Sequence, residues 1–101
     1  MIMIVMRRQA GEKRMEEWEE AAAVACAVHN MHIQACANQG IAAYWSSWHS
    51  AFRDSDEMRT FLGIGPEDRC LGMLVVAACD PDLNDQRVRD PGRHMSSEWR
   101  D

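Results

Sequence analysis

The stretch from Met15 to Gln39 constrains the fold of this chain more than any other feature, because it reads as a helix that is apolar all the way round. Ala21-Ala22-Ala23-Val24-Ala25-Cys26-Ala27-Val28 leaves no polar face for two turns. A helix without a polar side is expected to be surrounded by protein. At ~1.5 Å per residue such a helix is about 37 Å long, which 101 residues can hardly wrap. The pattern therefore predicts the core of something larger, or half of an intimate oligomer. Directly after it, Gly40-Ile41-Ala42-Ala43-Tyr44-Trp45-Ser46-Ser47-Trp48 reads as a short strand with an aromatic end.

The chain has room for one domain at most. With 47% hydrophobic and 27% charged residues it has a globular composition rather than a disordered one. A net charge of -5 gives no electrostatic argument for nucleic acid as a partner. The uncharged run from Ala21 to Phe52 is not a membrane span, because Asn30, His32, Gln34 and Asn38 would fall in lipid. Met1 to Met6 is too short for a signal-peptide core and lacks a basic region before it. A cytoplasmic location is the expectation. Cys26, Cys36, Cys70 and Cys79 form no C-x-x-C pair and read as reduced, buried thiols.

Ile2 to Met6 is a continuous apolar run typical of a buried strand. Glu16, Glu17, Glu19 and Glu20 put negative charge at the start of the long helix, where it complements the helix dipole, and Gly40 stops it. Asp54-x-x-Glu57 resembles a capping box for a short helix ending before Gly63, with Met58, Phe61 and Leu62 as its apolar set. Gly65-Pro66-Glu67-Asp68 is a turn. Cys70 to Cys79 is the strongest strand and alternates little, so both its faces should be covered. From Asp80 onward, Asp-Pro and Pro-Gly steps and a group of arginines predict a loop or extended arm. The order of strand, long helix, strand, short helix, strand and tail is an α/β arrangement with a buried helix on a sheet.

Cys26, His29, His32 and Cys36 fall within roughly a 120° arc of the long helix. All four are zinc-ligand types, but along a straight helix they span about 15 Å and cannot converge on one ion. They read as a packed face with hydrogen-bonded histidines. Ser46-Ser47 with His49 lacks a nucleophile elbow and an orienting acid. Trp45 and Trp48, flanking the serines at a strand's carboxyl end, are either core packing or the wall of a site for a flat, ring-shaped ligand. The backbone N–H groups of Ser46 and Ser47 would be donors to such a ring. No glycine-rich nucleotide loop occurs.

Several of these pieces resemble the flavin-dependent nitroreductase family. Trp18-Glu19-Glu20-Ala21-Ala22-Ala23-Val24-Ala25-Cys26-Ala27-Val28-His29-Asn30-Met31 is similar to its central helix. Gly40 to Ser47 resembles the strand that leads to the flavin ring, and Asp54 to Gly63 the family's short helix. Cys70 to Ala78 resembles its closing strand. The resemblance implies an α+β fold: a nitroreductase-like mixed sheet packed on a long buried central helix. It further implies an interlocked homodimer with FMN at the interface. There NAD(P)H would reduce the flavin and a nitroaromatic or quinone would take the electrons. By position, Trp45, Ser46 and Ser47, with Trp48 beside them, would touch the flavin ring. Arg87 or Arg89, with Arg93 a weaker candidate, would meet its phosphate. The family's amino-terminal helices, which carry an Arg/Ser-rich phosphate grip, have no counterpart in residues 1–101. The expectation is therefore a partial, carboxyl-terminal domain with residues 80–101 as an extended tail, binding FMN weakly or not at all alone. No membrane and no nucleic acid enter this picture. A reading of another class is a non-catalytic interaction or dimerisation module built on the same fold, and a small zinc or thiol protein ranks below both.

Overall fold

The computed structural model describes residues 1–81. Three strands and three helices follow one another as β1 (Ile2–Met6), α1 (Glu17–Cys36), β2 (Ile41–Ser46), α2 (Ser50–Arg53), α3 (Asp56–Leu62) and β3 (Arg69–Ala78). A single turn of 3-10 helix, Gly11–Lys13, lies between β1 and α1. The chain is thus a small α+β domain with one three-stranded sheet, in the order β1-β3-β2.

The sheet corrects the expectation of a mixed one, since β3 runs antiparallel to both of its neighbours. The reason is topological. The crossover through α1 leaves β1 and β2 pointing the same way, one strand apart, and β3 returns between them. The strongest strand of the sequence is therefore the central one.

The α1 face of the sheet carries the core. Ile4, Leu74 and Val28 are buried together, with Val24, Ala43, Leu71 and Val76 packed around them. Removing such side chains from water is the main stabilising term, about 25 cal/mol per Å² of apolar surface. A bulge between Ile4 and Val5 leaves Leu71 without a partner on β1 and brings it to the core side. Gly72, beside the bulge and paired with Ile4, has φ +105°. A Cβ there would collide with the backbone carbonyl oxygen of Ser46 and stand 2.8 Å from Ser47 Cα. Only glycine lets the end of β2 lie this close to β3.

Helix α1 differs from its expected form in extent and in burial. It begins at Glu17 rather than Met15, because the Met15 N–H donates to the Glu20 carboxylate (3.0 Å) and its carbonyl accepts from Arg8 (3.2 Å). It ends at Cys36, short of Gln39: Asn38 Nδ2 donates to the Gln34 carbonyl (2.7 Å), satisfying a terminal acceptor and closing the helix in a turn. It is also not surrounded. One stripe, Glu20, Val24, Val28, His32 and Ala35, faces the sheet in whole or in part, whereas Trp18, Cys26, Met31 and Ile33 are exposed. Three strands present one layer, and one layer covers one side of a cylinder.

On the far face Met58 and Met73 are buried. The N-cap of α3 is Ser55, whose Oγ accepts from Met58 N–H (3.2 Å). Asp54 is not the cap, because Arg53 holds its carboxylate through Nε and Nη2, both at 2.9 Å. Helix α3 closes on Gly63 in the left-handed conformation. Of its expected apolar set, Met58 is buried, Leu62 is half-buried and Phe61 is exposed. The turn at Gly65 forms as expected and is locked by Asp68, whose carboxylate accepts from Gly65 N–H and from Arg8 N–H, both at 2.9 Å.

Candidate functional site

An open groove of about 1030 Å³ lies where the first turns of α1 face the end of β2 and the start of β3. Trp18, Ala21, Ala22 and Ala25 form its helical wall and Trp45 its strand wall. Alternation puts Trp45 opposite Leu74, on the α1 face. Its ring is fixed by donation from Nε1 to the Leu71 carbonyl (3.0 Å), an acceptor that the bulge leaves free. Exposed on its groove side and anchored at Nε1, this indole forms the strand wall.

Three arginines from three elements line the same groove: Arg53, Arg59 and Arg69. Arg53 pairs with Asp54 and donates through Nη1 to the Ser47 carbonyl (3.2 Å), tying the groove to the end of β2. Asp54 is held below the usual carboxylate range by the hydrogen bonds from Arg53. Arg59 Nη1 donates to the carbonyls of Gly65 (2.9 Å), Pro66 (3.3 Å) and Asp68 (3.4 Å), clamping the turn. Arg69 Nε pairs with Glu17 (3.1 Å). Among the described residues Arg59 keeps Nε and Nη2 without a partner, and Arg69 keeps Nη2. The groove therefore combines two indole walls with guanidinium donors still open to an anion.

Above the groove the approach to α1 is pinned by Glu20. Its buried carboxylate accepts from Arg8 Nη1 (3.0 Å), Gln9 N–H (3.3 Å) and Met15 N–H (3.0 Å). The Met15 N–H, with Gln9 N–H and the Arg8 charge, holds Glu20 below its ordinary pKa against the opposing effect of burial.

The residues expected at a ring-shaped ligand divide. Trp45 lines the groove. Ser46 Oγ accepts from Trp48 N–H (3.3 Å), and the Ser47 N–H has no partner among the described residues. Trp48 turns away, with φ +58°. It packs on Phe52 and lines a separate apolar pocket with Met1 and Met3. Trp45 and Trp48 thus do not form one wall. Arg87, Arg89 and Arg93 lie outside the described residues. The arginines that do reach the groove carry no sequence signal, since they come from α2, α3 and the start of β3 and only tertiary folding gathers them.

The helix-face set also departs from expectation. Cys26 and Cys36 are exposed, Cys79 is half-buried and only Cys70 is buried. The reason is the uncovered side of α1. Neither His29 nor His32 makes a side-chain hydrogen bond among the described residues, and no group of three or more potential metal ligands is found among them. His49 makes no contact with Ser46 or Ser47 of the hydrogen-bonding kind. Among the described residues no helix is long and apolar enough to cross a membrane. Comparisons with protein-family models, with curated proteins and with solved structures give no match for this chain.

Proposed function

We propose that this domain supplies one wall of an FMN site in a nitroreductase-type oxidoreductase, with the α1 groove as that wall. The observation that carries the reading is the groove's donor set: a fixed Trp45 face, with open guanidinium N–H groups on Arg59 and Arg69 beside it. A flat ring with an anionic tail has both of its needs met by such a set. The free Ser47 N–H at the end of β2 adds a donor at the ring's edge. When bound, FMN would accept hydride from NAD(P)H and pass electrons to a nitroaromatic or quinone. This chain's residues stack against the ring, orient it and neutralise its phosphate. The open groove and the uncovered side of α1 leave the opposite wall to a second copy, which makes the working form a homodimer.

The test is an equilibrium titration of FMN with the purified chain, read by flavin fluorescence. Weak but saturable binding is expected, with FMN favoured over riboflavin because of the phosphate. Trp45→Ala, and Arg59→Gln with Arg69→Gln, should each weaken it. Equal binding of FMN and riboflavin, or indifference to all three substitutions, would overturn the assignment.

A second reading is favoured by one observation. Trp18, 69% exposed, and Ile33, 55% exposed, extend an apolar surface along α1 that a solitary domain does not require. In that reading the chain is a non-catalytic dimerisation module. A discrete dimer by light scattering, without any flavin affinity, would favour it over the flavin reading.

A further inference from the structure

The central strand outruns one of its neighbours and so keeps an open stretch of edge. β3 runs from Arg69 to Ala78, but β1 pairs with it only as far as Ile2 opposite Leu74. On the other edge β2 covers it as far as Ile41 opposite Ala78. Antiparallel partners alternate between pairs that exchange hydrogen bonds and pairs that do not. Cys79 N–H donates to the Gly40 carbonyl (2.8 Å), which sets the phase: Met73, Val75 and Ala77 bond to β2, while Leu74, Val76 and Ala78 turn their N–H and C=O groups the other way. Leu74 meets Ile2 there, but Val76 and Ala78 have no backbone partner on that edge among the described residues. Between this open edge and the last turns of α1 lies a groove of about 600 Å³, with Met31, Ala35, Leu74 and Val76 in its lining and no charged residue. Val75-Val76-Ala77-Ala78 carries neither charge nor proline, the devices that blunt an open strand edge.

We infer that this open stretch binds an extended peptide from another protein, which enters the sheet as a strand collinear with β1 and antiparallel to β3. Peptides added to a strand edge take affinity from main-chain hydrogen bonds and specificity from pockets for alternate side chains. Here one peptide residue opposite Val76 and another opposite Ala78 exchange bonds with them, as Ile2 does with Leu74. Side chains at these two positions share the face of Ile2 and Ile4, so they enter the groove beneath α1. That groove takes uncharged, β-branched side chains. The peptide residue between them, opposite the exposed Ala77, lies on the far face and is free to be polar. The occupant is a short free strand, because Met1 closes the stretch at one end and the Asp80-Pro81 step at the other. The edge strands of a second copy, five and six residues long, would overrun it. Residues 82–101 contain only the isolated apolar residues Leu83, Val88, Met95 and Trp99, and so no alternate pair for the groove.

The experiment is a titration of the full ¹⁵N-labelled chain with the peptide acetyl-Ser-Val-Thr-Val-Ser-amide, followed on backbone amide resonances. The two valines are spaced for Val76 and Ala78. Before peptide is added, the Val76 and Ala78 amides should exchange with solvent faster than those of Val75 and Ala77, which β2 holds. The peptide should shift Val76 and Ala78 saturably and slow their exchange. N-methylation of either valine removes a donor to β3 and should weaken binding about tenfold or more. N-methylation of the threonine, whose N–H points away from β3, should change it about twofold or less. Met31→Ala, at an exposed side chain of the groove, should weaken it about threefold. Equal binding of the valine-methylated and threonine-methylated peptides would overturn the inference, as would the absence of a saturable shift. Slow exchange of Val76 and Ala78 in the free chain would overturn it too. Light scattering then names the occupant: residues 82–101 if the chain is a monomer, a second copy if it is a dimer. None of these outcomes bears on FMN at Trp45.

Discussion

Replacing Gly72 by alanine tests how the end of β2 is held against the sheet. At φ +105° an L-residue is strained, at a cost of about 1–3 kcal/mol. The new Cβ would meet three atoms of β2's end and the following residue: the Ser46 carbonyl oxygen, Ser47 Cα at 2.8 Å and Ser46 C at 3.0 Å. All are backbone, so no rotamer change relieves them, and β2 must move away from β3. The pairs Ser46–Met73 and Trp45–Leu74 lie nearest the collision. Antiparallel pairs alternate, and of these two only Ser46–Met73 exchanges hydrogen bonds; losing its two bonds costs about 1 kcal/mol each, which brings the total to about 3–5 kcal/mol. A domain of this size holds only about 5–15 kcal/mol of stability. Urea unfolding followed by circular dichroism should show a midpoint lower by about 1 M or more, taking a slope of about 1–3 kcal/mol per M. Gly63→Ala is the control: its φ is also positive, at +60°, but nothing lies within 4 Å of the added methyl, so about 1 kcal/mol is expected. Equal effects of the two substitutions would refute the close approach.

Other consequences follow from the same contacts. Leu74→Ala, at a side chain 1% exposed in the centre of the core, should lower stability by about 2–5 kcal/mol in the same unfolding assay, whereas Phe61→Ala should change it by about 0.5 kcal/mol or less. Glu20 and Asp68 are both held below their ordinary pKa values, chiefly by backbone N–H donors. Their contribution is complete above the unfolded-state carboxylate range and is lost as pH falls through their lower folded values. Urea midpoints measured on going from neutral to acidic pH should fall over that window, and less steeply in Glu20→Gln. Ellman's reagent should modify Cys26 and Cys36 in the folded chain, and Cys70 only after unfolding; equal rates for Cys26 and Cys70 would contradict the placement of α1.

The strands and the helices were readable where side-chain chemistry alone decides them. Ile2 to Met6 and Cys70 to Cys79 are apolar runs, and the strands found, Ile2–Met6 and Arg69–Ala78, match them to within one residue at each end. The ends of α1 were less so, because both are set by side chains reaching back: Glu20 capturing the Met15 N–H, and Asn38 capturing the Gln34 carbonyl. The apolar circumference of α1 was legible, but its burial was not, since that depends on how many layers surround it. Strand order was invisible for a similar reason. The sequence has no marker for β3 returning between β1 and β2, and that insertion decides antiparallel against mixed pairing. At the candidate site, the position of Trp45 follows from strand alternation. The departure of Trp48 does not, because it depends on one residue's positive φ. The groove arginines share no spacing, so only the folded chain identifies them.

The division of the two tryptophans between opposite faces is the point on which the functional account stands. The most direct measurement is a titration of the ¹⁵N-labelled chain with FMN, read on the indole N–H resonances, with Trp45→Phe and Trp48→Phe assigning the two signals. The account predicts a saturable shift of the Trp45 signal with the Trp48 signal unmoved. A shift confined to Trp48, or no shift at Trp45 up to saturating flavin, would contradict it.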